Sequence, residues 1–201
     1  TRILTWSGDN EALRIWDAKL DGEQSQPLAS IDTVYTNQHA LWNQTGTQIL
    51  TCTGKVFKIW DVGTGTALHT YPNNLSDQCQ KGFWDSKEAW ILGQYGVIWD
   101  VATEAVVNDT EVTDASWCPG SSVYIRVSSG TLSRWNAGEG EAQLKVEVDR
   151  SQRAGFRGFR GVRCSPQGGR VLTWAVNGDV DVWDTSSLSL IQTLQHDLTV
   201  S

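Results

Sequence analysis

Arg14-Ile15-Trp16-Asp17, Lys58-Ile59-Trp60-Asp61, Val97-Ile98-Trp99-Asp100, Ser133-Arg134-Trp135-Asn136 and Asp181-Val182-Trp183-Asp184 are five versions of one phrase. In four of them an aliphatic residue precedes Trp-Asp. In the remaining one Arg134 precedes the Trp and Asn136 succeeds it. Successive tryptophans lie 44, 39, 36 and 48 residues apart. Their mean of about 42 falls within the ~40–45 residue period of repeats that each build a four-stranded sheet.

A second marker precedes each phrase. It reads Leu41-Trp42-Asn43, Phe83-Trp84-Asp85, Ser116-Trp117-Cys118 and Arg163-Cys164-Ser165, each running into a polar, Gly- or Pro-containing turn. Such a turn ends one strand and starts the next. The segment after the turn is β-branched and alternating, as in Gln48-Ile49-Leu50-Thr51-Cys52 and Arg170-Val171-Leu172-Thr173-Trp174. Tight turns at Gly54, Gly96, Gly130 and Asn177-Gly178 then lead into the Trp-Asp strand. Asn-Gly between two strands is a strong hairpin signal. A fourth strand is visible at Ala67–Tyr71 and again at Leu190–Leu194. The unit is therefore strand a, turn, strand b, Gly turn, strand c ending in Trp-Asp, loop, strand d. Helical periodicity is absent and the fold class is all-β.

These residues resemble the WD40 repeat family over essentially the whole chain. Five occurrences at one period carry the resemblance; a single Trp-Asp would not. It implies a β-propeller of four-stranded antiparallel blades around a channel. Arg2-Ile3-Leu4-Thr5-Trp6 and Arg170-Val171-Leu172-Thr173-Trp174 are near copies. They are similar to the Trp-rich repeats of bacterial WD40 arrays, which are often fused to signalling NTPase or protease domains. The chain departs from the family where a Gly-His pair should open each repeat; only Gln195-His196-Asp197 comes near it. The family's His, Asp, Ser/Thr and Trp hydrogen-bond network finds partial candidates in Asp9, Thr5 and Thr173, and no repeat shows the full set. Apolar packing with Trp as anchor is the simpler expectation.

The repeats divide the chain into blade one, lacking strand a (1–30), and blades two (31–72), three (73–108), four (109–148) and five (149–194). Residues 195–201 begin a further strand a. An incomplete ring is expected, a slice of a longer array. Trp16, Asp17, Trp60, Asp61, Trp99, Asp100, Trp135, Trp183 and Asp184 are the structural repeat positions. The 201 residues include 11 Trp and no Met, which suits a trimmed chain or fragment. Ten of the Trp fall at repeat positions and Trp90 falls in strand b of the short third blade. They are expected in the core rather than on a sugar-binding platform, so a lectin-like propeller is the lesser alternative.

A net charge of -7 argues against nucleic-acid binding by the whole surface. Apolar runs fall far short of the ~18 residues a membrane helix needs. Cys52, Cys79, Cys118 and Cys164 have no short, paired spacing with one another or with His39, His69 and His196, so no metal site is expected. The cysteines are expected to be free thiols packed as small hydrophobes, which favours a reducing, cytoplasmic compartment. No nucleophile elbow, phosphate-binding loop or zinc-protease motif is present, and Gly63-Thr64-Gly65-Thr66 lacks the Lys a phosphate cradle needs. Asp179 and Asp181 are expected to line solvent. No enzyme and no cofactor is implied.

The charge map has one strong irregularity. From Arg150 to Asn177 there is no acid, and six of the ten Arg lie there: Arg150, Arg153, Arg157, Arg160, Arg163 and Arg170. At its heart Arg, Gly and Phe interleave from Arg153 to Gly161. Arg forks bind carboxylates bidentately and Phe can anchor a partner. Arg150, Arg153, Phe156, Arg157, Phe159, Arg160 and Arg163 are thus the candidate docking residues for an acidic protein segment, with RNA as the weaker alternative. The plain alternative is a blade-connecting loop whose Arg are solvated or paired to acids. The expected function is a non-catalytic protein-interaction scaffold, the sensing or docking part of a larger signalling polypeptide.

Overall fold

The computed structural model describes residues 2–6, 12–18, 26–33, 37–53, 56–72, 81–108, 112–148 and 155–194. Among them, strands form five antiparallel sheets, each strand hydrogen-bonded to the next in sequence. The first sheet has three strands, β1 (Arg2–Trp6), β2 (Ala12–Asp17) and β3 (Ala29–Asp32). The second comprises β4 (Asn37–Trp42), β5 (Gln48–Thr53), β6 (Val56–Asp61) and β7 (Ala67–Pro72). The third is the shortest, with β8 (Gly82–Trp84), β9 (Trp90–Gly93), β10 (Ile98–Asp100) and β11 (Val106–Asn108). The fourth holds β12 (Asp114–Trp117), β13 (Val123–Ser128), β14 (Thr131–Asn136) and β15 (Leu144–Glu147). The fifth holds β16 (Phe159–Cys164), β17 (Arg170–Ala175), β18 (Val180–Asp184) and β19 (Leu190–Leu194). The one helical element among the described residues is a 3-10 turn at Gln94–Gly96. No helix there is long and apolar enough to cross a membrane.

The chain divides into two compact units, Thr1–Phe83 and Trp84–Ser201, with β8 crossing the division. In the first, Leu13, Ile15 and Ile31 of the first sheet pack on Ala40, Ile49 and Trp60 of the second. In the second, Leu92 and Ile98 meet Ala115 and Tyr124, while Val127 and Leu132 share a core with Phe159, Val171 and Trp183. Each such Leu, Ile, Val or Phe side chain, removed from water, contributes about 1.5–3 kcal/mol. The alternation of β17 and β18 produces this directly. Val171, Thr173 and Ala175 are buried, and so are Asp181 and Trp183.

Register explains the recurring Trp-Asp phrase. Trp16, Trp60, Trp99, Trp135 and Trp183 pair with Ile3, Ile49, Ile91, Tyr124 and Val171 on strand b. The residue two further along strand b therefore lies on the same face as the indole. In three sheets that residue is Thr, and the indole Nε1–H donates to its hydroxyl. The pairs are Trp16 to Thr5 at 2.7 Å, Trp60 to Thr51 at 2.9 Å and Trp183 to Thr173 at 2.9 Å. Thr5 and Thr173 are thus indole acceptors; Asp9 lies outside the described residues. In the third sheet the position is Gly93. In the fourth it is Arg126, whose guanidinium lies 4.8 Å from the Trp135 ring centre, and Trp135 Nε1 turns to Ser133 of its own strand at 2.8 Å.

The Trp-Asp carboxylates close the turn between strands c and d. Asp61 Oδ1 accepts from the backbone N–H and hydroxyl of Thr64, and Asp100 Oδ1 from the N–H groups of Ala102 and Thr103. Asp184 Oδ1 accepts from the N–H and hydroxyl groups of both Ser186 and Ser187. The turn between strands a and b uses the residue after strand a. Asn43 Oδ1 accepts from the N–H of Thr47 and Gln48, and Asp85 Oδ1 from those of Ala89 and Trp90.

Two expectations are corrected. Cys118 and Cys164 are not free thiols; they form a disulfide with Cα atoms 5.1 Å apart. Cys52 is disulfide-bonded as well, no described cysteine is free, and Cys79 lies outside the described residues. Cys118 and Cys164 stand 46 residues apart, close to one repeat, so adjacent sheets bring them side by side. The argument for a reducing compartment loses its basis. Asp181 does not line solvent either. It sits two residues before Trp183 and shares its inward face, 1% exposed, where Oδ1 accepts from the Thr193 hydroxyl at 2.7 Å. Asp179 is half-buried and accepts from Asn177 Nδ2.

Thr51→Val keeps the shape and orphans a buried indole N–H, so it should cost about 1–3 kcal/mol in urea unfolding. An unchanged midpoint would show that the Trp60–Thr51 bond adds nothing to stability. Closing a loop of 46 residues, the Cys118–Cys164 bridge should stabilise by about 4 kcal/mol in the chain-entropy picture. A Cys118→Ser/Cys164→Ser variant read by thermal unfolding, with non-reducing peptide mapping of the wild type, checks both the bond and its size.

Candidate functional site

The basic strip is where sequence and structure can be compared residue by residue. Arg150 and Arg153 lie outside the described residues. From Gly155 to Phe159 the chain alternates between anchor and display. Phe156 and Phe159 are buried at 6% and 3% exposure and meet edge to face, ring centres 5.3 Å apart. They join the core of the fourth and fifth sheets and present no face to a partner. Arg157 and Arg160 point outward and have no ion-pair partner among the described residues.

Hydrogen bonds pin this segment to both neighbouring strand b–c turns. Phe159 N–H donates to Ser129 O at 2.8 Å, and Val176 N–H donates to Gly158 O at 3.1 Å. Gly158 has φ +122°, and a Cβ there would stand 2.5 Å from Ser129 O, so only glycine permits the approach. The Arg-Gly-Phe interleaving is thus a mechanical device. Phe fixes the loop, Gly allows its path and Arg is carried outward.

The two remaining described Arg of the strip form ion pairs with other strands. Arg163 Nη1 lies 2.8 Å from Asp114 Oδ2, and its guanidinium lies 5.6 Å from the Trp174 ring centre. Asp114 Oδ2 also accepts from Val162 N–H at 3.0 Å, and Cys164 N–H donates to Ser116 Oγ at 3.3 Å. Two side chains of β12 therefore satisfy backbone N–H groups of β16. Arg170 Nη1 reaches Asp184 Oδ2 at 3.1 Å. Of the seven docking candidates, Arg157 and Arg160 form the exposed pair, Arg163 is tied to Asp114, Phe156 and Phe159 are core, and two are not described.

The tryptophans are less buried than expected of core residues. Trp60, Trp99 and Trp183 are buried, Trp6 is 40% exposed, and the other seven are half-buried. Among the described residues no group of three or more His, Cys, Asp or Glu is placed to hold a metal ion. No family model and no curated protein matches this chain.

Sequence reasoning missed Thr51 and Arg126. Both could have been found by stepping two residues from the strand-b partner of each Trp. Arg126 is 2% exposed, and burial lowers its pKa from the ordinary Arg value while Tyr124 raises it. His39 is shifted down by burial and then by the nearby Lys81; its ring meets Phe83 at 5.4 Å.

Asp184 carries the largest consequence for titration. Hydrogen bonds from Ser186 and Ser187 hold its carboxyl down at about 2. A depressed carboxylate pKa contributes stability above the unfolded value of about 3.9, lost as pH falls toward the folded value. The Asp184 carboxyl carbon should titrate near pH 2 by NMR, and a Ser186→Ala/Ser187→Ala variant should move the midpoint up. An unmoved midpoint in that variant would show that the hydroxyls do not set it.

Proposed function

We propose that the chain is a WD40-type β-propeller segment that serves as a non-catalytic protein-interaction scaffold. The supporting observation is the recurrence, in sequence order, of sheets whose strand c carries an indole opposite the second residue of strand b. Three of those indoles donate to a Thr two residues further along that strand. A scaffold of repeated sheets needs no reactive group; it needs turns held at fixed positions, and loops so held are where binding residues concentrate. The segment carrying Arg157 and Arg160, a loop that runs into β16, meets that description, with two buried Phe beneath it and backbone bonds on either side. The pair lies on an otherwise acidic chain and suits an acidic protein segment through charge-assisted hydrogen bonds. As in the WD40 arrays the sequence resembles, the role is the docking or sensing part of a larger signalling polypeptide.

The lectin alternative has the weaker support: only Trp6 is exposed among the tryptophans, with seven half-buried and three buried. RNA binding would call for stacking aromatics beside the Arg, and the two Phe there are buried.

Affinity enrichment with the wild-type chain as bait should retain partners that an Arg157→Glu/Arg160→Glu variant loses by about tenfold or more. Both sites are exposed, so near-UV circular dichroism of the variant should match the wild type. Identical enrichment by the two baits would discard the surface.

A further inference from the structure

Within each compact unit, adjacent sheets meet by one rule. Every sheet has a face that carries the strand-c indole and an opposite face, because side chains alternate along a strand. In the first unit, Leu13, Ile15 and Ile31 lie on the opposite face of the first sheet and pack on Ala40, Ile49 and Trp60 of the second sheet's indole face. In the second unit, Leu92 and Ile98 pack on Ala115 and Tyr124 of the fourth sheet. Ile125, Val127 and Leu132 in turn pack on Val162, Val171 and Trp183 of the fifth. Each time the opposite face of one sheet covers the indole face of the next in sequence.

Two faces built to this rule are exposed. On the fifth sheet Leu172, Trp174, Val180, Val182 and Leu194 share the opposite face. Leu172 is 39% and Leu194 42% exposed. Ile125, which holds the place of Leu172 in the fourth sheet, is buried, and so are Leu13 and Ile31, which hold the places of Val180 and Leu194 in the first. On the first sheet Ile3, Thr5 and Trp16 share the indole face. Ile3 is 43% exposed and Thr5 is exposed, whereas their counterparts Ile49 and Thr51, and Val171 and Thr173, are buried. The Trp16–Thr5 bond is made, so this face is fully assembled while open to water. Of the ten large apolar side chains exposed among the described residues, eight lie on or beside these two sheets, which sets them apart from the three between.

Contiguous exposed apolar faces mark contact sites. We propose that two copies of the chain associate head to tail, the Leu172–Leu194 face of one covering the Ile3–Trp16 face of the next. The packed pairs show what covers such a face, and the sequence shows that a second copy carries it. β1, Arg2-Ile3-Leu4-Thr5-Trp6, nearly repeats β17, Arg170-Val171-Leu172-Thr173-Trp174. A second copy therefore offers Ile3, on a near-identical strand, at the place where the fourth sheet covers Val171. The contact joins unlike faces, so each copy in a dimer keeps one face open and association continues beyond two. It uses neither Arg157 nor Arg160 and does not depend on that pair docking an acidic segment.

Sedimentation velocity of the full chain over a wide range of concentration should show reversible growth past the dimer. Leu172→Lys/Leu194→Lys closes one face and Ile3→Lys the other; each variant alone should associate about tenfold more weakly or worse. Mixed in equal amounts, the two variants should form a dimer and nothing larger, since each retains one of the two complementary faces. Near-UV circular dichroism checks that the variants are folded. Hydroxyl-radical footprinting of the wild type, which needs no variant, should show Ile3, Leu172 and Leu194 becoming protected together as concentration rises. A wild-type chain that stays monomeric overturns the proposal, whether its own first sheet covers the fifth or a different protein does. Either variant dimerising alone as tightly as the wild type would overturn it too, since like faces would then be meeting. So would a mixture that stays monomeric, or association that leaves those three side chains unprotected.

Discussion

The second and fifth sheets depend on an indole N–H that finds its acceptor away from water. Trp60 and Trp183 are buried at the end of strand c, and each carries one donor that cannot be left unmade without cost. Antiparallel register places the second residue beyond the pairing partner within reach, and Thr supplies a hydroxyl there without enlarging the strand. Thr is also a good strand residue, so the requirement does not conflict with local propensity. The bond fixes strand c against strand b. That in turn sets which residues of both strands face the neighbouring sheet.

The two sheets that lack the Thr show what the constraint allows. In the fourth, Arg126 fills the Thr position and lays its guanidinium over the Trp135 ring, and the indole finds Ser133 instead. A buried cation on an aromatic face recovers part of its lost hydration from the ring quadrupole. In the third, Gly93 offers no side chain, and strands β8, β10 and β11 are only three residues long. Ties between adjacent sheets of the second unit sit around this irregular pair. Ser122 bonds Asp85, Asp114 and Ser116 accept from the backbone of β16, and Cys118 joins Cys164. These side chains tie the third sheet to the fourth and the fourth to the fifth.

Much of this is legible in the sequence because one large residue type marks one strand position. Counting from Trp-Asp places strands b, c and d closely: β7 begins at Ala67, and β19 spans Leu190–Leu194, both where the pattern puts them. The errors share a cause, which is that they concern which face or which neighbour, not which strand. Two carboxylates close in sequence suggest solvent at Asp181, although a residue two before a buried Trp lies on the same face of its strand. Judged only against metal sites, the cysteine spacing hides the disulfide. A separation near the repeat length is the signal, since it brings like positions of adjacent sheets together. By composition Phe156 and Phe159 look like anchors for a partner, whereas they anchor the loop itself.

The same distinction governs the charge. As a sequence, the strip from 150 to 177 is six Arg without an acid, a strongly positive patch. In the fold, Arg163 and Arg170 turn to Asp114 and Asp184, which lie in sequence outside the strip. Linear charge runs overstate surface potential wherever strands return beside them, because the compensating group arrives from another strand or another sheet. The charge that survives compensation is smaller and better placed. Arg157 stands on a loop that buried rings hold still and Arg160 at the start of β16, so binding a carboxylate there spends little entropy on ordering the backbone. A field from two fixed charges close to the ligand is also less screened by salt than one summed over a dispersed strip.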